Sequence, residues 1–137
     1  MLKDTFTFQG PLGEIECLVE PNRSDNNAVL VMAHGFRGSR DSGGRAAGVA
    51  HQAAAHAAVV RFNFMGTQII SRQVEELRAV LAEVRRRQPG CKLFLLGRSL
   101  GGAASIITAA QDGALAGLIL WATPNNLRFT FRYVMTE

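Results

Sequence analysis

Apolar and polar residues alternate near the start of the chain, and the pattern changes further along. Residues 5–8 and 14–20 alternate at period two, and the segment between them, residues 10–13 (Gly-Pro-Leu-Gly), is typical of a turn. This pattern predicts an antiparallel hairpin. After the polar residues 21–27, residues 28–33 form an unbroken apolar run, which is typical of a strand buried on both faces.

The rest of the chain alternates between helix and strand patterns. In residues 70–88 the spacing of Val74, Leu77, Leu81 and Val84 places one apolar stripe on a helix. The other predicted elements are a helix from a cap at Asp41 or Ser42 to about Ala57, strands at 58–62, 93–96 and 115–121, and a helix ending near Gln111. This order predicts an α/β fold: a mainly parallel sheet of about six strands, with an N-terminal antiparallel hairpin and helices on both faces.

The segment Gly97-Arg98-Ser99-Leu100-Gly101 joins an apolar run, 93–96, to a run of small residues, 102–105. Strand, sharp turn and helix are the context of a nucleophile elbow, which lifts a serine hydroxyl to the carboxyl end of a sheet. The elbow holds the serine in a strained backbone conformation, and a side chain at Gly97 or Gly101 would collide across the turn. The alternative is a glycine-rich turn with an incidental serine.

A second motif, residues 34–38 (His-Gly-Phe-Arg-Gly), follows the apolar run that ends at Ala33. With the elbow downstream, and each motif at a strand end, the chain resembles the amino-terminal part of an α/β-hydrolase, in the branch of bacterial esterases and acyl hydrolases. The resemblance covers nearly all of residues 28–124, and its matching segments are 34–41, 60–66, 97–102 and 117–122.

The resemblance implies a serine hydrolase that acts on a small-molecule ester, thioester or similar acyl bond, without cofactor or metal. Ser99 would form the acyl-enzyme, and the backbone N–H groups of Phe36 and Leu100 would hold the oxyanion. One departure from the family is the loop after residues 64–66, where Thr67 and Gln68 run almost directly into a helix.

The more serious departure concerns the acid and base, which in this family follow the serine in the order Asp or Glu, then His. No histidine follows Ser99, Asp112 comes too early, and Glu137 is the last residue. The expectation is a single, truncated domain over residues 1–137 whose longer parent is the working enzyme. The alternative is a non-catalytic binding or interaction scaffold that keeps the fold.

The three histidines all precede Ser99. A structural role is predicted for His34, with its ring bonding nearby backbone. His51 and His56 are five residues apart, so a helix turns them about 140° from each other and they do not form a zinc pair. Arg98 either attracts an anionic substrate or packs its stem over the neighbouring helix and points into solvent.

Composition and charge bear on whether the protein is a membrane, secreted or nucleic-acid-binding protein. The 137 residues are 47% hydrophobic, yet no apolar run approaches the ~20 residues that span a bilayer. No signal peptide is apparent, and Cys17 and Cys91 are predicted to be buried thiols, so the chain is expected to be cytoplasmic. The net charge is +4, but Arg85-Arg86-Arg87 ends a helix where Glu83 can pair with Arg87, so no nucleic-acid partner is expected.

The C-terminal segment 127–134 alternates apolar with mostly polar residues at period two, as a half-buried strand does. It follows the last predicted strand, whose outer edge would be open. Open edges recruit further strands, so the segment predicts a homo-oligomer formed through this edge. The alternative is a frayed terminus.

Overall fold

Strands and helices follow one another along the chain much as the apolar pattern predicts. The computed structural model describes residues 2–34, 39–41, 44–66 and 69–122. The strands are β1 (Thr5–Gly10), β2 (Gly13–Glu20), β3 (Ala28–Ala33), β4 (Ala58–Phe62), β5 (Lys92–Arg98) and β6 (Gly117–Trp121). The helices are α1 (Arg45–Ala53), α2 (Ile70–Arg87) and α3 (Leu100–Gln111).

The six strands form one sheet in the order β1-β2-β4-β3-β5-β6. β1 and β2 are antiparallel, and so are β2 and β4, whereas β3 pairs in parallel with β4 and β5, and β5 in parallel with β6. The prediction of a mainly parallel sheet with an N-terminal hairpin is therefore confirmed.

The side chains of β3 separate the core into two layers. Val29 and Val31 pack on the face that carries Leu77 and Leu81 of α2. Leu30 and Met32 point to the other face and share a cluster with the alanines of α1. α3 packs against α2 and β5. Helices thus cover both faces of the sheet, as predicted.

The start of α1 differs from the prediction. The helix covers only Arg45–Ala53, and no side chain caps it. The carboxylate of Asp41 contacts the guanidinium of Arg61 at 2.7 Å, and the carbonyl of Asp41 accepts the N–H groups of Gly44 and Ala46. The predicted cap at Asp41 is therefore wrong, because a nearly buried arginine takes the carboxylate. Ser42 lies outside the described residues.

Two smaller predictions are corrected as well. Cys17 is fully buried, and its burial raises its thiol pKa to about 12, but Cys91 is only partly buried. β6 begins at Gly117 rather than at Leu115. The backbone N–H of Ala116 still donates to the carbonyl of Leu93 at 2.8 Å, so the chain joins β5 just before the strand begins.

The three consecutive arginines at the end of α2 all contact carboxylates. Arg85 makes a two-pronged ion pair with Asp112, at 2.6 and 3.0 Å, which ties α2 to the end of α3. Arg87 pairs with Glu83 one turn earlier at 2.8 Å, as predicted, and Arg86 shares the same carboxylate at 2.6 Å.

Candidate active site

Ser99 adopts the strained backbone that an elbow needs. Its φ is 53° and its ψ is −121°, a conformation that costs a residue with a side chain roughly 1–3 kcal/mol. Hydrogen bonds on both sides hold this geometry. The N–H of Ser99 donates to the carbonyl of Trp121 at 3.0 Å, and the carbonyl of Ser99 accepts the N–H of Gly102 at 2.9 Å.

The glycines on either side leave no room for a side chain. A Cβ atom at Gly97 would lie 2.5 Å from the Cα of Gly102 and from the Oγ of Ser105. A Cβ atom at Gly101 would strike the carbonyl of His34 and lie 2.6 Å from that of Ala33. Both positions therefore require glycine on steric grounds. Gly101 also brings the first turn of α3 against Ala33 and His34, so the turn at Ser99 lies beside His34 at the carboxyl edge of the sheet.

The structure describes only one of the two predicted oxyanion donors. Leu100 is the first residue of α3, so its backbone N–H has no partner within the helix and points toward the amino end of the helix. Phe36 lies outside the described residues. Its role stays a prediction.

His34 lies buried at the same edge, where its ring packs edge-on against Phe64 with centroids 5.0 Å apart. Its Nε2 accepts the backbone N–H of Phe64 at 2.9 Å, so the ring's proton is on Nδ1 in the neutral form. The predicted structural role is confirmed. His51 and His56 are both exposed.

The segment after β4 contributes contacts that the sequence did not single out. The Oδ1 of Asn63 accepts the N–H of Arg40 at 2.7 Å. Glu76 of α2 is fully buried, and its carboxylate accepts the N–H groups of Met65 and Gly66 at 3.0 and 2.7 Å. The sequence gives little signal for this role, because Glu76 lies beside the predicted apolar stripe of α2 rather than within it.

Two arginines lie near the elbow. The guanidinium of Arg98 stacks over the ring of Trp121, 4.7 Å from its centroid, so its packing partner is the neighbouring strand. Arg40 forms a 2.8 Å ion pair with Glu16. Both arginines, with His34 and Trp121, line a shallow depression at the carboxyl end of the sheet.

A cavity larger than this depression lies elsewhere. It has a volume of about 590 Å³ and is lined largely by apolar groups, among them Leu30, Phe94 and Ile119. Ala28 and Lys92, which begin β3 and β5, mark its end of the sheet. This is the amino end of the parallel strands, opposite to Ser99, so the cavity is separate from the candidate active site.

Neither a metal centre nor a membrane span is found in the part of the chain that the structure describes. No group of three or more His, Cys, Asp or Glu side chains there is placed to bind a metal ion. None of its helices combines the length and apolar character needed to cross a bilayer. The expected cytoplasmic location stays a prediction.

Comparison with known proteins identifies structures with a similar fold. No protein-family model and no curated protein matches the sequence. Solved structures do: an α/β serine hydrolase homologue from Coxiella burnetii superposes on 90% of the chain with a TM-score of 0.76 and 24% identity. An α/β serine hydrolase without a lid from Xanthomonas campestris superposes on 90% of the chain, with a TM-score of 0.73 and 25% sequence identity. An esterase from Pyrococcus furiosus superposes on 96% of the chain, with a TM-score of 0.84 and 15% sequence identity.

The chain therefore has the α/β-hydrolase fold, as the resemblance of its motifs implies. It spans 64%, 62% and 55% of the lengths of these three proteins, respectively. The match accordingly covers part of the hydrolase fold, in keeping with the expected amino-terminal part.

Proposed function

We propose that this chain provides the nucleophile and the oxyanion contacts of a serine hydrolase that cleaves an ester, thioester or similar acyl bond. The oxygen of Ser99 adds to the acyl carbonyl as its proton passes to the base. The bond to the alcohol or thiol leaving group then breaks as that group takes up the proton, and the acyl-enzyme remains. Water then releases the acid and restores Ser99. The backbone N–H groups of Leu100 and Phe36 stabilise the negative oxygen of each tetrahedral intermediate.

The observation that supports this proposal best is the backbone of Ser99. A positive φ at a non-glycine residue is costly, and here it occurs at a serine whose flanking glycines have no space for a Cβ atom. Strain of this kind clusters at functional sites, and this strain presents a hydroxyl at the first turn of a helix.

A base for Ser99 is not evident in this sequence. No histidine follows Ser99, and the Nε2 of His34 is committed to the N–H of Phe64. The proposal therefore assigns the acid and base to residues outside this chain. The second candidate is a non-catalytic scaffold with the same fold.

A fluorophosphonate probe distinguishes the two candidates. On the serine-hydrolase proposal, a longer parent protein is labelled at Ser99, and Ser99→Ala abolishes both the labelling and the esterase activity, a loss on the order of 10⁶ in kcat. The sequence of that parent would be sought in the DNA downstream of Glu137, read in all frames for an Asp and a His in strand–loop contexts. A parent in which Ser99 stays unlabelled supports the scaffold. A parent in which Ser99→Ala keeps more than a few per cent of the activity would contradict Ser99 as the nucleophile.

A further inference from the structure

The cavity at the amino end of the parallel strands is open because α1 leaves part of β6 uncovered. Leu30 of β3 is buried in one cluster with alanines of α1, and so is Leu96 of β5. Ile119 of β6 pairs with Leu96 and therefore lies on the same face of the sheet, but it is 48% exposed. We call the space of about 590 Å³ that these elements line the α1–β6 groove.

The floor of the groove is a row of residues across three neighbouring strands. Leu30 pairs with Phe94, and Phe94 pairs with Gly117. A Cβ atom at Gly117 would lie 2.9 Å from the Cδ1 of Phe94, so the aromatic ring lies against the space that a side chain there would occupy. Ala53 and Ala57 line the side of the groove nearest α1, and each has only a methyl group. The small residues leave an apolar space beside the ring.

The titratable groups around the groove can carry only positive charge. Lys92 lines the groove, is exposed, and forms no ion pair within the described residues. His56 is the other titratable residue of the described lining, which contains neither Asp nor Glu. The side chain of Asn26 is already engaged, because its Nδ2 donates to the carbonyl of His56 at 2.8 Å and its Oδ1 accepts the N–H of Ala28 at 3.1 Å. An anionic group in the groove would therefore meet an ammonium group and no opposing carboxylate of the described lining.

We propose that the α1–β6 groove binds an amphiphilic carboxylate, with an apolar body and one anionic end, such as a medium-chain fatty acid. The apolar body lies over Phe94 and Ile119, and the carboxylate contacts the ammonium group of Lys92. Ligand sites typically have volumes of about 300–1,000 Å³ and a mostly apolar lining, with a few polar groups that fix the orientation. The groove lies at the end of the sheet opposite to Ser99, so this site is independent of the proposed hydrolase activity.

The two parts of the ligand contribute differently to its binding. Each CH₂ group that is fully buried tightens binding by about fourfold, so the apolar body supplies most of the affinity. An ion pair with an exposed lysine is screened by water and adds about threefold. Lys92 therefore selects the sign of the head group, whereas Phe94 and Ile119 hold the ligand.

The test titrates the full chain by calorimetry with hexanoate, octanoate, octanol and octylammonium. We expect octanoate to bind saturably, and about fivefold more tightly than hexanoate because an open groove buries the two added CH₂ groups only in part. It should also bind more tightly than octanol and octylammonium. In NMR spectra the methyl signals of Leu30 and Ile119 should shift with the same dissociation constant, whereas those of Leu118 should not.

Three variants test the groove residues. Ile119→Asn removes an apolar contact and should weaken octanoate binding about fivefold. Leu118→Asn is the matched control, because Leu118 is the next residue of the same strand, points to the opposite face and is 36% exposed; its affinity should be unchanged. Lys92→Gln should weaken octanoate binding about threefold and leave octanol binding unchanged. Melting curves show that each variant is folded.

Other occupants of the groove give different results. The absence of saturable octanoate binding, equal affinities for octanoate and octylammonium, or equal losses in the two asparagine variants would overturn the proposal. A dimer in light scattering that octanoate dissociates would mean that a second copy covers the groove. Nuclear Overhauser contacts from Ile119 to the rings of Phe129 or Phe131 would mean that the chain's own C-terminal segment fills it. Either result would also overturn the ligand site.

The Ser99→Ala chain keeps this proposal apart from the proposed function. It should bind octanoate as tightly as the unchanged chain, because the groove and Ser99 lie at opposite ends of the strands. Unchanged binding supports the groove whether or not Ser99 is a nucleophile. Binding that is lost in Ser99→Ala would place octanoate at the turn of Ser99 and overturn the groove as its site.

Discussion

The Nε2 atom of His34 lies 2.9 Å from the backbone nitrogen of Phe64 and accepts its hydrogen bond. Nε2 has a single lone pair, and a lone pair that accepts from a backbone N–H does not take a proton from serine at the same time. His34 is the histidine that the fold brings to the end of β3, beside the start of α3. This hydrogen bond orients the segment after β4, and in the proposed hydrolase the base for Ser99 would come from elsewhere.

The first prediction follows from this pairing. The 137-residue chain alone should hydrolyse p-nitrophenyl esters far more slowly than the ~10 s⁻¹ of a median enzyme. Ser99→Ala supplies the background rate. Turnover near 10 s⁻¹ would mean that His34 or a second copy of the chain provides the base, and His34→Gln would separate those two sources.

Replacing Ser99 with glycine should stabilise the protein. Glycine adopts a positive φ at little cost, so Ser99→Gly relieves strain worth about 1 kcal/mol, whereas Ser99→Ala keeps the strain. Urea denaturation of the three proteins measures the difference. Equal midpoints for the Gly and Ala variants would contradict the strained geometry of the elbow.

Side chains at the flanking glycines should have the opposite effect. Gly97→Val and Gly101→Val drive methyl groups into the backbone of α3 and of β3, respectively, and should destabilise the fold by roughly 1–3 kcal/mol or more. Arg98→Ala, between them, removes only a stacked guanidinium and serves as the matched control. Equal melting temperatures for the three variants would count against the elbow.

The ion pair between Arg85 and Asp112 should make stability depend on pH at the acidic end. The hydrogen bonds from Arg85 lower the pKa of Asp112, so the pair stabilises the fold above the unfolded-state pKa and loses this effect as the pH falls through the folded-state value. Asp112→Asn should therefore be less stable than the unchanged chain at pH 7, by under about 1 kcal/mol, with the gap closing toward pH 3. Urea denaturation of both proteins at pH 7 and pH 3 measures this difference in the free energy of unfolding. A difference that grows in acid would contradict the ion pair.

The outer edge of β6 should mediate self-association. In the described residues β6 pairs only with β5, and Leu118, Ile119 and Leu120 are 36%, 48% and 45% exposed without a charged neighbour in the strand. The segment 127–134, which lies outside the described residues, is expected to add to this edge or to that of a second copy. Light scattering should give a dimer or larger assembly for the full chain, which is lost in a chain ending at Asn126. A monomer of unchanged stability in both cases would defeat this proposal.

The sheet and the elbow were predictable because their signals are local. Period two in β1 and β2, the unbroken apolar run of β3 and the stripe of α2 each arise from residues close together in the chain. The glycines on either side of Ser99 are visible in the sequence, and they indicate a turn too tight for side chains at those positions. The predicted fold is therefore confirmed in its strand directions and in the covering of both faces.

Contacts between distant segments were not predictable in the same way. The sequence predicts that Asp41 caps α1, but in the structure its carboxylate forms an ion pair with Arg61 of β4. No local sequence pattern around either residue indicates this ion pair. The sequence pattern does not single out Glu76, whose carboxylate is buried and accepts N–H groups of the loop after β4. Such roles depend on which strands become neighbours, so they emerge only once the sheet order is known.

The stacking of Arg98 on Trp121 gives this corner of the protein an intrinsic optical reporter. Trp121 is the chain's single tryptophan, and its carbonyl accepts the N–H of Ser99. Changes in its emission would therefore follow the docking of β6 beside the elbow, without a label and without signal from elsewhere in the sheet. Folding of the turn at Ser99 is thereby observable by fluorescence even in a chain that turns over no substrate.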